Sequence, residues 1–408
     1  MKRGCLLLPL LLLCLSGCGR GAVLDDVQTD LSTLTVPDSV SVAALGEASH
    51  GVKEYQEMKA QVFQALVKNN GCRTFIIEGD FGSALAVDEY IHGGDGTAQE
   101  AAAQIGFRIY RTQEMADLLT WMREYNQSAP EGEDLHFRGM DFQQVDGSKA
   151  YLFQVLEQGA PQLGAAYQER LSFLTDDTLF DQTPEDFAQG KTAAEELLQA
   201  MDAVQEELEL AVGAEAFAYA RECANSLRAC CVLRGAPDLQ YNALRDQAMA
   251  EKVQWYLDQG DGSLLFLNGH NGHIGKHSTA GYVCLGQHLS EELGEAYFAI
   301  GTDAAVTSYN AQGNDGSFTE TTVENENDLT ALAQETEEGR YYVDFRTAGP
   351  DWEPLCTQEQ AMSAMNVGFS PIATVKAVPG EVYDGMIVFH TVTPTTFPDG
   401  GAAGNSLT

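Results

Sequence analysis

The chain is short of positive charge: 23 lysines and arginines stand against 60 aspartates and glutamates, a formal net charge of −37. Such a surface repels phosphate backbones and anionic headgroups, which excludes nucleic acid as a partner. It also lacks the loops of several large enzyme classes. No G-x-S-x-G elbow, H-E-x-x-H pair or G-x-G-x-x-G turn occurs, so serine-hydrolase, zincin and dinucleotide chemistries fall away. The nearest approach to a phosphate loop, Gly275-Lys276, has His270 and His277 where a glycine and a hydroxyl are required. No C-x-x-C is present, which removes thioredoxin-like redox sites and zinc ribbons. There is also no long apolar run. The most hydrophobic stretch, Leu6 to Leu15, is ten residues, too short to span a bilayer.

That run follows Lys2-Arg3 and ends in Leu15-Ser16-Gly17-Cys18, so residues 1–18 read as a lipoprotein-type export signal with Cys18 as the lipidated first residue of the mature chain. The expected location is extracytoplasmic in a bacterium, with a lipid anchor as the only membrane contact. Cys5 and Cys14 leave with the signal, and six cysteines remain in the folded part, their pairing open. Residues 19–38 read as a tether.

What is present is a core-forming composition, 44% hydrophobic over 408 residues. Val40 to Leu45 is a strand-like run, and Tyr55 to Val67 has helical spacing. Arg73 to Ile77 is a second strand, Phe81 to Ile91 a helix, Met115 to Met122 the apolar face of another, and Leu135 to Met140 a third strand. This alternation predicts an α/β fold with a mostly parallel central sheet flanked by helices. Strand signals fade over 147–257, a helical insertion forming a cap beside the cleft. They return at Leu264 to Leu267, Tyr297 to Ile300, Tyr341 to Phe345 and Met386 to Thr391, and Ala280 to Leu293 is expected to be helical. The α/β core thus comprises 39–146 and 258–395. Gly313 to Gly339 reads as a mobile surface excursion and 396–408 as a flexible tail.

The chemistry sits on strand-to-helix loops, which a parallel sheet gathers at its carboxyl edge. One is Gly46-Glu47-Ala48-Ser49-His50-Gly51, a second is Glu78-Gly79-Asp80, a third ends at Asp141, and a fourth is Asn268-Gly269-His270-Asn271-Gly272-His273. Histidines held among carboxylates suit hydrolysis by activated water, one ring nitrogen donating to an acid while the other takes a proton. Asp80 either orients a histidine or caps the next helix; Asp141 supports the site. Arg245 and Asp246 either enter the cleft or bridge helices. Ser49 reads as a helix cap, His277 as exposed, and Trp121 with Tyr125 as a core contact. His92, His136, His288 and His390 show no acidic partner pattern.

Several ordered motifs are similar to the erythromycin esterase family: Leu45-Gly46-Glu47-x-x-His50-Gly51 with Glu54, Ile77-Glu78, Trp121 to Asn126, Gly139-Met140-Asp141, Arg245 to Ala250, and His270-Asn271-Gly272-His273-Ile274. The resemblance spans residues 40–300 and implies a metal-independent hydrolase that opens a macrolactone by water attack, with no cofactor. It implies His50 as general base, Glu47 and Glu78 as its carboxylates, and His270 and His273 as the opposite wall. From chemistry alone, that wall receives the oxyanion and the departing alkoxide. Two rivals stand beside it. In the first, the same cluster, with His273-x-x-x-His277 and Glu47 or Glu78, holds a divalent metal; in the second, the chain is a lipid-anchored binding protein without turnover.

Overall fold

The computed structural model describes residues 23–260, 262–313, 316–365 and 373–398. The export signal and Cys18 lie outside them. Ten strands are formed: β1 (Val42–Glu47), β2 (Thr74–Asp80), β3 (His136–Asp141), β4 (Leu265–His270), β5 (Tyr297–Gln312), β6 (Phe318–Glu324), β7 (Arg340–Asp344), β8 (Gln360–Ser363), β9 (Thr374–Ala377) and β10 (Gly385–Val392). Eight of them build one sheet in the order β3-β2-β4-β1-β5-β10-β7, with β6 paired to β5 outside that path. Pairing is parallel from β3 through β10; β7 and β6 are antiparallel. Strands β8 and β9 form a separate antiparallel hairpin.

Both faces of the sheet are covered, so central strands β1 and β4 are buried at every position and divide their apolar residues by the two-residue period. Val42, Ala44, Ile76, Leu265, Leu267 and Ala299 pack on one side; Ala43, Leu45, Phe75, Ile77, Phe266 and Phe298 pack on the other. The second side is closed by helices Lys53–Asn70 and Gln113–Asn126, through Val62, Phe63, Leu118 and Leu119. The first is closed by the segment between β3 and β4, which is helical throughout and continuous with the core through Leu152, Leu197, Leu227 and Val253. Its last helix, Asp238–Gln259, leads into the start of β4 and so runs away from the carboxyl edge of the sheet, its first half holding Arg245 and Asp246 beside that edge.

Four sequence-based expectations are corrected. Residues 23–38 are not a free tether: Leu31, Leu34 and Val36 are buried, and Gln28 pairs with Tyr342. The excursion 313–339 contains β6 and helix Asp328–Ala333, whose Leu329, Leu332 and Ala333 are core residues that a polar, acidic average concealed. The helix expected from Ala280 begins at Leu285, after a turn in which Gly281 takes φ 79°. The described start of the tail is fixed by Glu114, which accepts from Thr396 N at 3.1 Å, and by Phe397 against Phe318. The six cysteines among the described residues are all free thiols. No helix among the described residues is long and apolar enough to cross a membrane.

Candidate active site

Neighbouring strands end in chemistry. Asp141 closes β3, Glu78 lies near the end of β2, His270 closes β4 and Glu47 closes β1, in the order in which these strands adjoin. Glu47 and His270 are register partners across the β1–β4 pair. The loop after β1 is held by close backbone approach, which explains its two glycines. A Cβ at Gly46 would lie 2.1 Å from Asn271 Oδ1, and one at Gly51 would lie 2.4 Å from the Asn310 carbonyl. Asn271 in turn accepts from Thr302 N at 3.2 Å and donates to Thr302 O at 2.7 Å, while Thr302 Oγ1 accepts from Ala48 N at 2.9 Å. The β1 and β4 loops are thereby locked together through β5.

His50 is the residue these loops deliver. Its Nδ1–H donates to Glu47 Oε2 at 3.3 Å, which leaves Nε2 with a lone pair, 3.8 Å from Glu78 Oε2. Glu47 is fully buried and anchored on its other side by an ion pair with the buried Lys59, while Gln56 Nε2 donates to Oε2 at 3.1 Å and to the His50 carbonyl at 3.1 Å. Burial pushes the Glu47 carboxyl up, but Lys59 and His50 outweigh it and hold it below its ordinary value. The Tyr110 ring meets His50 edge-on at 6.3 Å, and its hydroxyl donates to Glu78 O at 3.0 Å.

Glu78 is the hub. Its Oε1 accepts from Arg245 Nη2 at 2.7 Å and lies 3.3 Å from His273 Nε2; its Oε2 accepts the His270 backbone N–H at 2.8 Å. Burial opposes the charge, yet His273 and Arg245 hold Glu78 well below the usual carboxylate range. Arg245 also grips Asp141, Nη2 to Oδ2 at 2.6 Å and Nε to the same oxygen at 3.2 Å. His273 sits between two carboxylates, Glu78 and Asp246, whose Oδ1 is 2.7 Å from Nδ1. Arg245 Nη1, 2.9 Å from Nε2, favours a lone pair there. The two carboxylates prevail over both burial and that guanidinium, raising the imidazole to about 10, so the imidazolium is the resting form.

His270 behaves differently. Its Nε2 donates to Met365 O at 3.1 Å and its Nδ1 accepts from Gly272 N at 3.1 Å, so both nitrogens are engaged inside the protein. Burial, with His50 and His273 beside it, lowers its pKa to about 4. It is a neutral wall, not a proton donor to a leaving group. Side-chain exposure separates the roles further: His50 (8%), Glu78 (7%), Arg245 (9%) and His273 (12%) keep some surface open to solvent, whereas Glu47, Asp141 and Asp246 (0%) keep none.

The structure therefore gathers His50, Glu47, Glu78, His270, His273, Asp141 and Arg245. Asp80 stays out. It caps helix Phe81–Ile91, accepting from Ser83 N at 2.7 Å, touches no histidine, and is pushed up to about 7 by burial. Ser49 is not a cap; it is buried, and the next helix begins after Val52. His277 is exposed. Sequence reasoning missed Gln56, Lys59 and Tyr110. Gln56 and Lys59 share one face of their helix with Glu47 opposite, but a helical lysine defaults to solvent. Met365 contributes only a carbonyl and had no signal. His92 and His136 do have an acidic partner, Asp88.

Comparison with known proteins covers this same region. Over 125 residues the chain is 30% identical to the erythromycin esterase type II of Escherichia coli, an alignment that takes in 30% of this chain and 29% of that enzyme. A Bacillus cereus protein of known structure superposes with a TM-score of 0.78 at 24% identity, covering 88% of this chain and 90% of its own. A structure described as a succinoglycan biosynthesis protein gives 0.77 at 20% identity over 93% and 98%. A mutant of the erythromycin esterase EreC in its open conformation gives 0.67 at 15% over 91% and 98%. These three share the fold. The family model for erythromycin esterase matches residues 67–392, a span holding Glu78, Asp141, Arg245, His270 and His273 and beginning after His50, and by that match the chain belongs to the erythromycin esterase family.

Proposed function

We propose that the chain is a carboxylic ester hydrolase, with lactones of the macrolide type in its substrate class, and that His50 activates the attacking water without a metal. The observation that carries this is the setting of His50: Nδ1 lies 3.3 Å from a buried carboxylate, which leaves Nε2 as the nitrogen able to take a proton from water, and the side chain keeps 8% of its surface exposed. The water oxygen attacks the ester carbonyl carbon as its proton passes to His50 Nε2. The His273 imidazolium and Arg245 face the oxygen that becomes negative. When the C–O bond breaks, the imidazolium of His50 returns its proton to the departing alkoxide, leaving acid and alcohol and restoring the starting state. Glu47, with Lys59 and Gln56 behind it, fixes the tautomer this cycle needs.

The relatives named for erythromycin hydrolysis support the substrate class, as does the acidity of the chain, which favours a cationic amino-sugar lactone over an anionic ester. The export signal and Cys18 support a place outside the cytoplasm on a lipid anchor. The test is a panel of simple esters, lactones and macrolides offered to the mature domain and to His50→Ala, before and after exhaustive chelation. Turnover that survives chelation and falls at least about a hundredfold in His50→Ala is expected. Turnover unchanged in His50→Ala sinks the mechanism, and abolition by chelation sinks the metal-independent route.

A further inference from the structure

The opposite end of β3 carries a second group of donors. Asp88 and His92 lie one turn apart at the end of helix Phe81–Ile91, and so on one face. His136, the first residue of β3, stands across from them. Asp88 Oδ1 is 3.8 Å from His92 Nδ1 and 3.7 Å from His136 Nδ1, and the two rings are 5.2 Å apart between centroids. Neither separation is a hydrogen bond; His92 Nδ1–H instead donates to the Asp88 backbone carbonyl at 2.7 Å, which fixes the ring and leaves its Nε2 as the nitrogen able to take a ligand. Asp141 lies five residues further along the strand, which puts the catalytic cluster about 16 Å away.

The core has little use for these histidines. Their side chains are 32% and 39% exposed and line a cleft of about 1110 Å³ with Glu89, Glu215 and Tyr219. Asp88 is fixed independently of them: Oδ2 by Arg138 Nη1 at 2.6 Å and Oδ1 by Phe137 N at 2.8 Å. Two positive charges stand against a cation here, Arg111 on the cleft wall and Arg138, which also lies 3.3 Å from His136 Nδ1; Arg138 is the nearer to the donors. It occupies the far carboxylate oxygen, leaves Oδ1 facing the rings as an outer partner of a ligand does, and is offset by Glu89 and Glu215.

We propose that Asp88, His92 and His136 bind one divalent transition-metal ion, with Zn²⁺ the best fit. One donor atom from each lies within 4.8 Å of the other two. For atoms so spaced there is a point within about 2.8 Å of all three, and side-chain shifts of under about 1 Å bring them to the ~2.0–2.2 Å of Zn–N and Zn–O bonds. Two imidazoles select zinc, nickel or copper over magnesium or calcium, and the open cleft leaves a coordination position for water. Placed there, the ion ties the end of a helix to the edge strand of the sheet, so its effect is on stability and not on turnover.

The test uses the chelator-stripped full chain titrated with ZnCl₂ by calorimetry, with bound zinc counted after gel filtration, beside His92→Ala, His136→Asn and His50→Ala. Wild type and His50→Ala are expected to hold one zinc more than either cleft variant, with a dissociation constant of about 10 µM or tighter. Zinc is also expected to raise their melting temperature by several degrees and that of the cleft variants by none. His92 is an exposed residue just past the helix, so its alanine variant folds. The proposal fails if wild type retains no zinc, if the cleft variants retain as much as wild type, or if His50→Ala is the variant that loses it. None of these readouts requires an ester substrate, so failure here is separate from failure of the proposed hydrolysis.

Discussion

Asp246→Asn isolates what the second carboxylate does for His273. Asparagine keeps the size, and its oxygen can still accept the Leu285 N–H, 3.1 Å from Oδ2, so the change is one negative charge removed 2.7 Å from Nδ1. With charge centres about 4 Å apart and an effective dielectric near 20, that charge is worth ~4 kcal/mol, about three pKa units. Relaxation of the surroundings takes part of this, so the imidazole is expected to fall from about 10 to ~8. At pH 9 the wild-type ring is then roughly nine-tenths imidazolium and the variant roughly one-tenth. The expected result is a loss in kcat/KM of about tenfold at pH 9 and less than twofold at pH 6.5, read from the pH–rate profile on any ester the enzyme turns over. Stability moves in the same sense. A base whose pKa is raised on folding stabilises fully below its unfolded value of 6.5 and loses that contribution as pH rises to about 10. In the variant the loss is complete by ~8, so urea unfolding should show wild type ahead by ~2–3 kcal/mol at pH 6 and the gap closing above pH 10. An alkaline limb in the same place for both proteins, or a uniform drop at every pH, would refute the assignment of the imidazolium to His273.

Arg245→Met removes the cation shared by Glu78 and Asp141 and should cost ~3–5 kcal/mol in urea unfolding at pH 7, because two buried carboxylates then face each other without a partner; a loss under ~1 kcal/mol would contradict the hub geometry. Asp80→Asn should do the reverse. A buried carboxyl pushed up to about 7 gives stability that is present below pH 4 and lost as pH rises through 7, so its neutral replacement, which keeps the cap to Ser83, should gain ~1–3 kcal/mol at pH 8 and nothing at pH 4.

The carboxyl-edge site was legible because it is written in strand-end loops, where sequence position implies spatial position: Glu47, Glu78, Asp141 and His270 needed only the strand order to become neighbours. The two-faced core was equally legible from apolar runs bounded by turns. What was hidden had one of two physical causes. Lys59 and Gln56 lie on a helix, and a helical polar residue carries no mark of the face on which its partner waits; for the same reason the sequence leaves Arg245 and Asp246 open between the cleft and a bridge between helices. The buried parts of 23–38 and 313–339 are short apolar insertions in polar segments, Leu31 and Leu34 in one, Leu329 and Leu332 in the other, too few to shift a local average. Asp88 with His92 was readable at one-turn spacing, but His136 joins them only through the fold.

Charge in the cluster has a direction. Four buried carboxylates, Glu47, Glu78, Asp141 and Asp246, face two permanent cations, Lys59 and Arg245. An imidazolium at His273 leaves one negative charge uncompensated around Glu78, whose two oxygens face different partners: Oε2 lies 3.8 Å from His50 Nε2, and Oε1 faces the His273–Arg245 wall. Base and electrophile are thus held apart by a carboxylate that touches both. On this reasoning Glu78→Gln should damage the two functions together: the negative charge beside His50 Nε2 disappears, and His273 loses one of its two anions. Its pH–rate profile should then lose rate in the plateau and also shift its alkaline limb downward, whereas Asp246→Asn moves the limb alone.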